Sequence, residues 1–138
     1  MVYLLTKAAL TAMSAERPKT TRIMIVDDIA SVRSDLCTLL ELVDDLQVVG
    51  QASDGQDAIV QAARLVPDVI LMDLEMPLMN GYQSARLIKE NLPACRVIAL
   101  SVHNYPEARQ KAVQTGMDAF IVKGEPLSKL VHAIRMEK

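Results

Sequence analysis

The apolar positions along the chain change their period repeatedly. Ile23 to Val26 is a continuous apolar run without polar alternation, the pattern of a strand buried on both faces of a parallel sheet. Ile29, Val32, Leu36, Leu39, Leu40 and Val43 then recur at helical spacing. The unit repeats. Leu46 to Val49 predicts a strand, and Ala58, Ile59, Ala62, Ala63 and Val66 predict a helix opened by Ser53-Asp54-Gly55-Gln56. Val69 to Met72 reads as a third strand, Tyr82 to Asn91 as a helix after Asn80-Gly81, and Arg96 to Leu100 as a fourth strand. Pro106 to Thr115 predicts a helix closed by Gly116, a residue suited to the left-handed position just past a helix end. Ala119 to Val122 is the fifth strand, and Pro126 opens a last helix carrying Leu127, Leu130, Val131 and Ile134 on one face.

Five short strands alternating with five helices predict an α/β fold, a doubly wound parallel sheet, because right-handed crossovers must cover both of its faces. With 138 residues the chain is about one domain's worth of sequence. Residues 22–138 hold the alternating pattern. Residues 1–21 are an extension: MVYLLTKAALTAMSA suits a short amphipathic helix, and AERPKTTR, polar with a proline, a linker. The extension faintly resembles a signal peptide, but Lys7 interrupts its apolar stretch and no basic segment precedes it.

Composition narrows the function. Fifteen Lys and Arg against 17 Asp and Glu give a net charge of −2, so the basic excess of a nucleic-acid binder is missing and no direct nucleic-acid contact is expected. Three Tyr, one Phe and no Trp leave little for base-stacking surfaces. No apolar run approaches the roughly 20 residues of a membrane-spanning helix, so no membrane insertion is expected. Cys37 and Cys95 fall inside apolar periodic segments without a C-x-x-C motif, which suggests two buried thiols and a reducing, cytoplasmic setting.

In doubly wound folds the chemistry collects at the carboxyl ends of the strands. Strand one ends in Asp27-Asp28, strand three in Asp73, strand four in Ser101 and strand five in Lys123. Singly, each has an ordinary explanation: Asp28 and Ser101 could cap local backbone, and Lys123 could be a solvated loop residue. Together they put three carboxylates, a hydroxyl and an ammonium on one sheet edge. Carboxylates a few ångströms apart repel by about 3 kcal/mol per pair at an effective dielectric of 20, so positive charge is needed there. Oxygen ligands without His or Cys favour a hard divalent cation, foremost Mg2+, with Mn2+ as a substitute. A metal beside a carboxylate nucleophile, with Lys and a hydroxyl nearby, is equipment for phosphoryl transfer onto Asp.

These residues resemble the receiver domains of two-component response regulators over residues 22–136. The resemblance is carried by I-M-I-V-D-D with Asp27 and Asp28, by V-I-L-M-D-L-E-M-P-L-M-N-G with Asp73, Pro77 and Gly81, by A-L-S-V-H with Ser101, and by D-A-F-I-V-K with Phe120 and Lys123. It implies a flavodoxin-like receiver fold with strand order 2-1-3-4-5. Asp73 matches the phosphoacceptor, Asp28 and the backbone carbonyl of Glu75 match direct Mg2+ ligands alongside Asp73, and Asp27 matches an acid that reaches the metal through water. Lys123 and Ser101 match the groups that grip the phosphoryl oxygens. Glu75 and His103 match positions that modulate the lifetime of the phosphorylated state; the ordinary reading of His103 is an exposed loop residue. Ser101 and Phe120, the only phenylalanine, match the switch pair that repacks the face of helix four, strand five and helix five.

Expected partners are therefore a sensor histidine kinase or a phosphotransfer protein, with a homodimer through that same face. Such a module catalyses its own phosphorylation and slow dephosphorylation but turns over no external substrate. Gly124 stands where many receivers have proline, and D-G after strand two with L-S-V-H after strand four looks most like the NarL type. That type normally carries a helix-turn-helix output domain, for which little sequence remains after Lys123. Two rivals are an unphosphorylated pseudo-receiver, against which the intact Asp28, Asp73 and Lys123 argue, and an Asp-nucleophile phosphatase, which would show D-x-D after strand one rather than adjacent acids. A flavodoxin-like flavin site is weaker, since no Ser/Thr/Gly-rich phosphate loop follows strand one.

Overall fold

Four apolar runs set the middle of the molecule, and a computed structural model describes residues 6–7, 20–77 and 79–136 around them. The strands are β1 (Thr21–Val26), β2 (Leu46–Ala52), β3 (Val69–Asp73), β4 (Arg96–Ser101) and β5 (Ala119–Val122). The helices between and after them are α1 (Ala30–Glu41), α2 (Gly55–Leu65), α3 (Gly81–Asn91), α4 (Pro106–Gln114) and α5 (Leu127–Arg135). All strand pairs are parallel and the order is β2-β1-β3-β4-β5, as the resemblance implies. The expected N-terminal helix and linker lie outside the described residues except for Thr6, Lys7 and Thr20, while Thr21 already pairs with Leu46 in β1.

The period-two geometry of a strand divides the core in two. Met24, Val26, Ile70, Met72, Val97 and Ala99 pack on one face against Ala58 and Ala62 of α2, Ala85 and Ile88 of α3 and Ala112 of α4. Ile23, Ile25, Leu71, Ile98, Leu100 and Ile121 pack on the other against Leu40 of α1 and Leu130, Ala133 and Ile134 of α5. Small residues on α2 and α3 and bulky ones on the strands let helices sit close to the sheet. Arg96 fixes the end of α5 by donating to the carbonyls of Ala133 and Ile134 at 2.7 and 2.8 Å, one of the ways a helix satisfies its last acceptors.

Several boundaries differ from the sequence reading. β2 continues through Gly50 and Gln51 to Ala52 because β1 keeps pairing with it, after a register shift between Ile23 and Met24 that leaves Val49 without a partner. Pro126 is the cap of α5 rather than its first helical residue. Val43 lies beyond α1 yet still packs on the core. Cys95 is buried as expected, whereas Cys37 is only half-buried because it sits on the flank of α1. Gly116 does take the left-handed position after α4, with φ +89°. So does Val66 after α2, at φ 46°, an uncommon place for a β-branched residue; Arg22 holds it by donating to the carbonyls of Leu65 and Val66, both at 2.8 Å.

Candidate functional site: an acidic edge closed by a lysine

β1 delivers Asp27 to the sheet edge with its side chain fully buried. Its Oδ1 accepts from the Ile29 N–H at 2.9 Å, turning the chain into α1, and its Oδ2 accepts from Lys123 Nζ at 3.0 Å. Asp28, next along, is exposed. It does not cap α1: the cap position is Ile29, without a side-chain bond, so that ordinary explanation of Asp28 fails. One carboxylate oxygen each from Asp27, Asp28 and Asp73 lies within 4.8 Å of the others.

Asp73 ends β3 and is 1% exposed. Its Oδ1 accepts from the Glu75 N–H at 3.1 Å and lies 3.2 Å from Lys123 Nζ. The turn that follows is shaped by Gly81: a Cβ there would stand 2.3 Å from the Asp73 carbonyl oxygen, so only glycine lets α3 start this close to the end of β3. Asn80 caps α3 and forms a reciprocal pair with Gln83, satisfying donors at the helix start. Lys123 arrives from β5, whose edge is held by the Lys123 N–H bonding the Ser101 carbonyl at 2.7 Å.

The charges perturb one another. Burial drives the Asp73 carboxyl up to about 6, with the Asp27 charge adding to the rise and the Glu75 N–H and Lys123 opposing it. Burial alone would pull Lys123 down, yet its hydrogen bond to Asp27 and the charge of Asp73 outweigh this and raise it, so its ammonium stays charged at neutral pH. The acidic edge thus holds a permanent cation bridging two of its three carboxylates.

Ser101, fully buried at the end of β4, donates to Glu75 Oε1 at 2.5 Å and accepts from the His103 N–H at 3.0 Å. The local-turn explanation of Ser101 therefore holds in part, through His103. The His103 imidazole is exposed and stacks on Tyr105 with ring centroids 5.1 Å apart, so only its backbone joins the polar chain of the site. Phe120 pairs with Ala99 in the sheet and is half-buried. Sequence reasoning missed two cations. Arg33, in the first turn of α1, donates to the Asp27 carbonyl at 2.6 Å, and Arg109 of α4 lies 4.6 Å over the Phe120 ring. Arg33 follows the acids by under two helical turns, a signal that was present; the approach of Arg109 to Phe120 has none in local spacing.

A sheet in the order 2-1-3-4-5 with paired acids after β1, one acid at the end of β3 and a lysine after β5 defines a receiver-type protein. The response regulator receiver domain family matches residues 23–135, and the chain belongs to it. It is 36% identical over 115 residues to the response regulator GacA of Pseudomonas viridiflava, covering 83% of this chain and 54% of that protein. The chain spans about half the length of the curated relatives it matches. Among solved structures it resembles a LuxR-family two-component response regulator from Aurantimonas sp. SI85-9A1, at TM-score 0.81 and 31% identity over 84% of this chain and 83% of that one. It likewise resembles the signal receiver domain of NarL from Mycobacterium tuberculosis, at TM-score 0.80 and 32% identity over 85% and 94% of the two chains. No helix of the described residues is long and apolar enough to cross a membrane.

Proposed function

We propose that residues 22–138 form a phosphorylation-controlled module of the cytoplasm, and that Asp73 takes a phosphoryl group from the phospho-histidine of a sensor kinase or phosphotransfer protein. The observation that carries this reading is the Lys123 ammonium bridging Asp27 and Asp73 beside three clustered acids. An Asp73 carboxylate oxygen bonds to phosphorus as the phosphorus–nitrogen bond of the donor breaks, leaving the donor imidazole and an acyl phosphate on Asp73. Lys123 neutralises charge on the phosphoryl oxygens, and Ser101 donates to one of them. Fixed charges at a water-poor edge act here mainly by position and electrostatics.

The acidic cluster offers only hard oxygen donors, which fits Mg2+. Asp28, Asp73 and the carbonyl of Glu75 would hold it directly and Asp27 through water, and it would supply positive charge to the phosphoryl oxygens. Glu75 and His103 flank the approach of hydrolytic water and set the lifetime of the acyl phosphate. Rotation of Phe120 as Ser101 moves repacks the face of α4, β5 and α5, through which the module binds a partner or a second copy. A phosphatase reading is disfavoured because the acids after β1, Asp27 and Asp28, are adjacent rather than spaced as D-x-D.

Phosphotransfer profiling against the histidine kinases of the source organism tests the reading. Rapid labelling by one kinase, lost in Asp73→Asn, is expected; labelling that survives Asp73→Asn overturns the site assignment.

A further inference from the structure

The Ser101 hydroxyl has one proton to give, and in this structure it goes to Glu75. The bond to Glu75 Oε1, 2.5 Å long, is a short charge-assisted one, and the hydroxyl also accepts the His103 N–H at 3.0 Å. Because Ser101 is fully buried, no water offers its proton an alternative partner at low cost. Glu75 meanwhile donates its own N–H to Asp73 Oδ1 at 3.1 Å. One residue thus bonds the acceptor carboxylate through its backbone and the switch hydroxyl through its side chain.

We infer that Glu75 is a latch: its carboxylate holds the Ser101 hydroxyl in the resting arrangement and competes with the phosphoryl group for that proton. The inference rests on the receiver reading above and deepens it, since it assigns to Glu75 a control over switching separate from any effect on hydrolytic water. A phosphoryl group on Asp73 brings negative charge next to the Glu75 carboxylate and presents acceptor oxygens to Ser101. The hydroxyl then transfers its bond, and the Glu75 side chain, on an exposed residue, is released to water where its charge is well solvated. The free energy of the Glu75–Ser101 bond is what phosphorylation has to exceed, so Glu75 acts as a positioning residue on the switch rather than as a catalytic one.

A double-mutant cycle isolates the latch. Beryllofluoride, a phosphoryl mimic, is titrated with saturating Mg2+ into the wild type, Glu75→Ala, Ser101→Ala and the double variant. Glu75→Ala is expected to tighten beryllofluoride binding about tenfold when Ser101 is present, the scale of one charge-assisted hydrogen bond, and by much less in the Ser101→Ala background. Glu75→Gln, which keeps an acceptor but loses the charge, should fall between wild type and Glu75→Ala. In the metal-free protein, Glu75→Ala should also shift the His103 amide resonance, because its acceptor Oγ is freed to rotate. Equal tightening in both backgrounds would mean that Glu75 acts by general charge repulsion, and would overturn the latch alone. A folded wild type that does not bind beryllofluoride would overturn the receiver reading and the latch with it.

Discussion

Replacing Asp73 with Asn should make the folded chain more stable at neutral pH without divalent metal, although it removes the proposed phosphoacceptor. Asp73 is buried, its carboxyl is raised from 3.8 to about 6, and Asp27 faces the same lysine. In the unfolded chain the group ionises near its ordinary value, so between about pH 4 and 6 the folded state binds more protons and stability falls as pH rises through that window. The full difference of about 2 units corresponds to about 3 kcal/mol at neutral pH. That difference already contains the opposing attraction of Lys123, so the expected gain for Asp73→Asn is up to about 3 kcal/mol. Urea denaturation in EDTA at about pH 7.5 and about pH 4.5 measures it, and the gain should shrink to about a third at the lower pH. Added Mg2+ should narrow the gap by stabilising the wild type through mass action. A variant less stable than wild type in EDTA at neutral pH, or a gap that does not change with pH, would mean that the buried Asp73 charge does not destabilise the fold.

Other substitutions probe the supports of the site. Lys123→Ala removes the cation from the fully buried Asp27 and should cost about 3 kcal/mol in EDTA, partly recovered by Mg2+; unchanged urea midpoints would contradict the bridging role. Gly81→Ala drives a Cβ against the Asp73 carbonyl and should lose about 1–3 kcal/mol together with beryllofluoride affinity, and a neutral outcome would show that the turn yields without disturbing Asp73. Val66→Gly relieves a left-handed β-branched residue and should raise stability by about 0.5–1 kcal/mol, read from the urea midpoint; a loss would mean the valine side chain contributes packing that outweighs its backbone strain.

The strands were legible because a sheet covered on both faces demands continuous apolar runs, and Ile23–Val26 and Val69–Met72 are such runs. The far half of β2 was not: Gly50 has poor strand propensity and Gln51 breaks the apolar run, and pairing with β1 across the shifted register holds them. The convergence of Asp27, Asp28, Asp73 and Lys123 was legible because strand ends in this topology share an edge. Side-chain partners were not legible. Ser101 and Glu75 are 26 positions apart, and either could have faced water instead. Arg109 reaches Phe120 only because α4 crosses β5 at that height, and His103 turns its ring toward Tyr105 through loop geometry that no spacing rule encodes.

Asp73 is proposed to accept phosphoryl groups at an edge made competent by its acidic neighbours and Lys123. The most direct measurement is intact-protein mass spectrometry with peptide mapping after incubation with a small phosphodonor such as phosphoramidate, with and without Mg2+. A gain of one phosphoryl group is expected, dependent on Mg2+, mapped to Asp73 and absent from Asp73→Asn. A phosphoryl group mapped elsewhere, or retained by the folded Asp73→Asn variant, would contradict it.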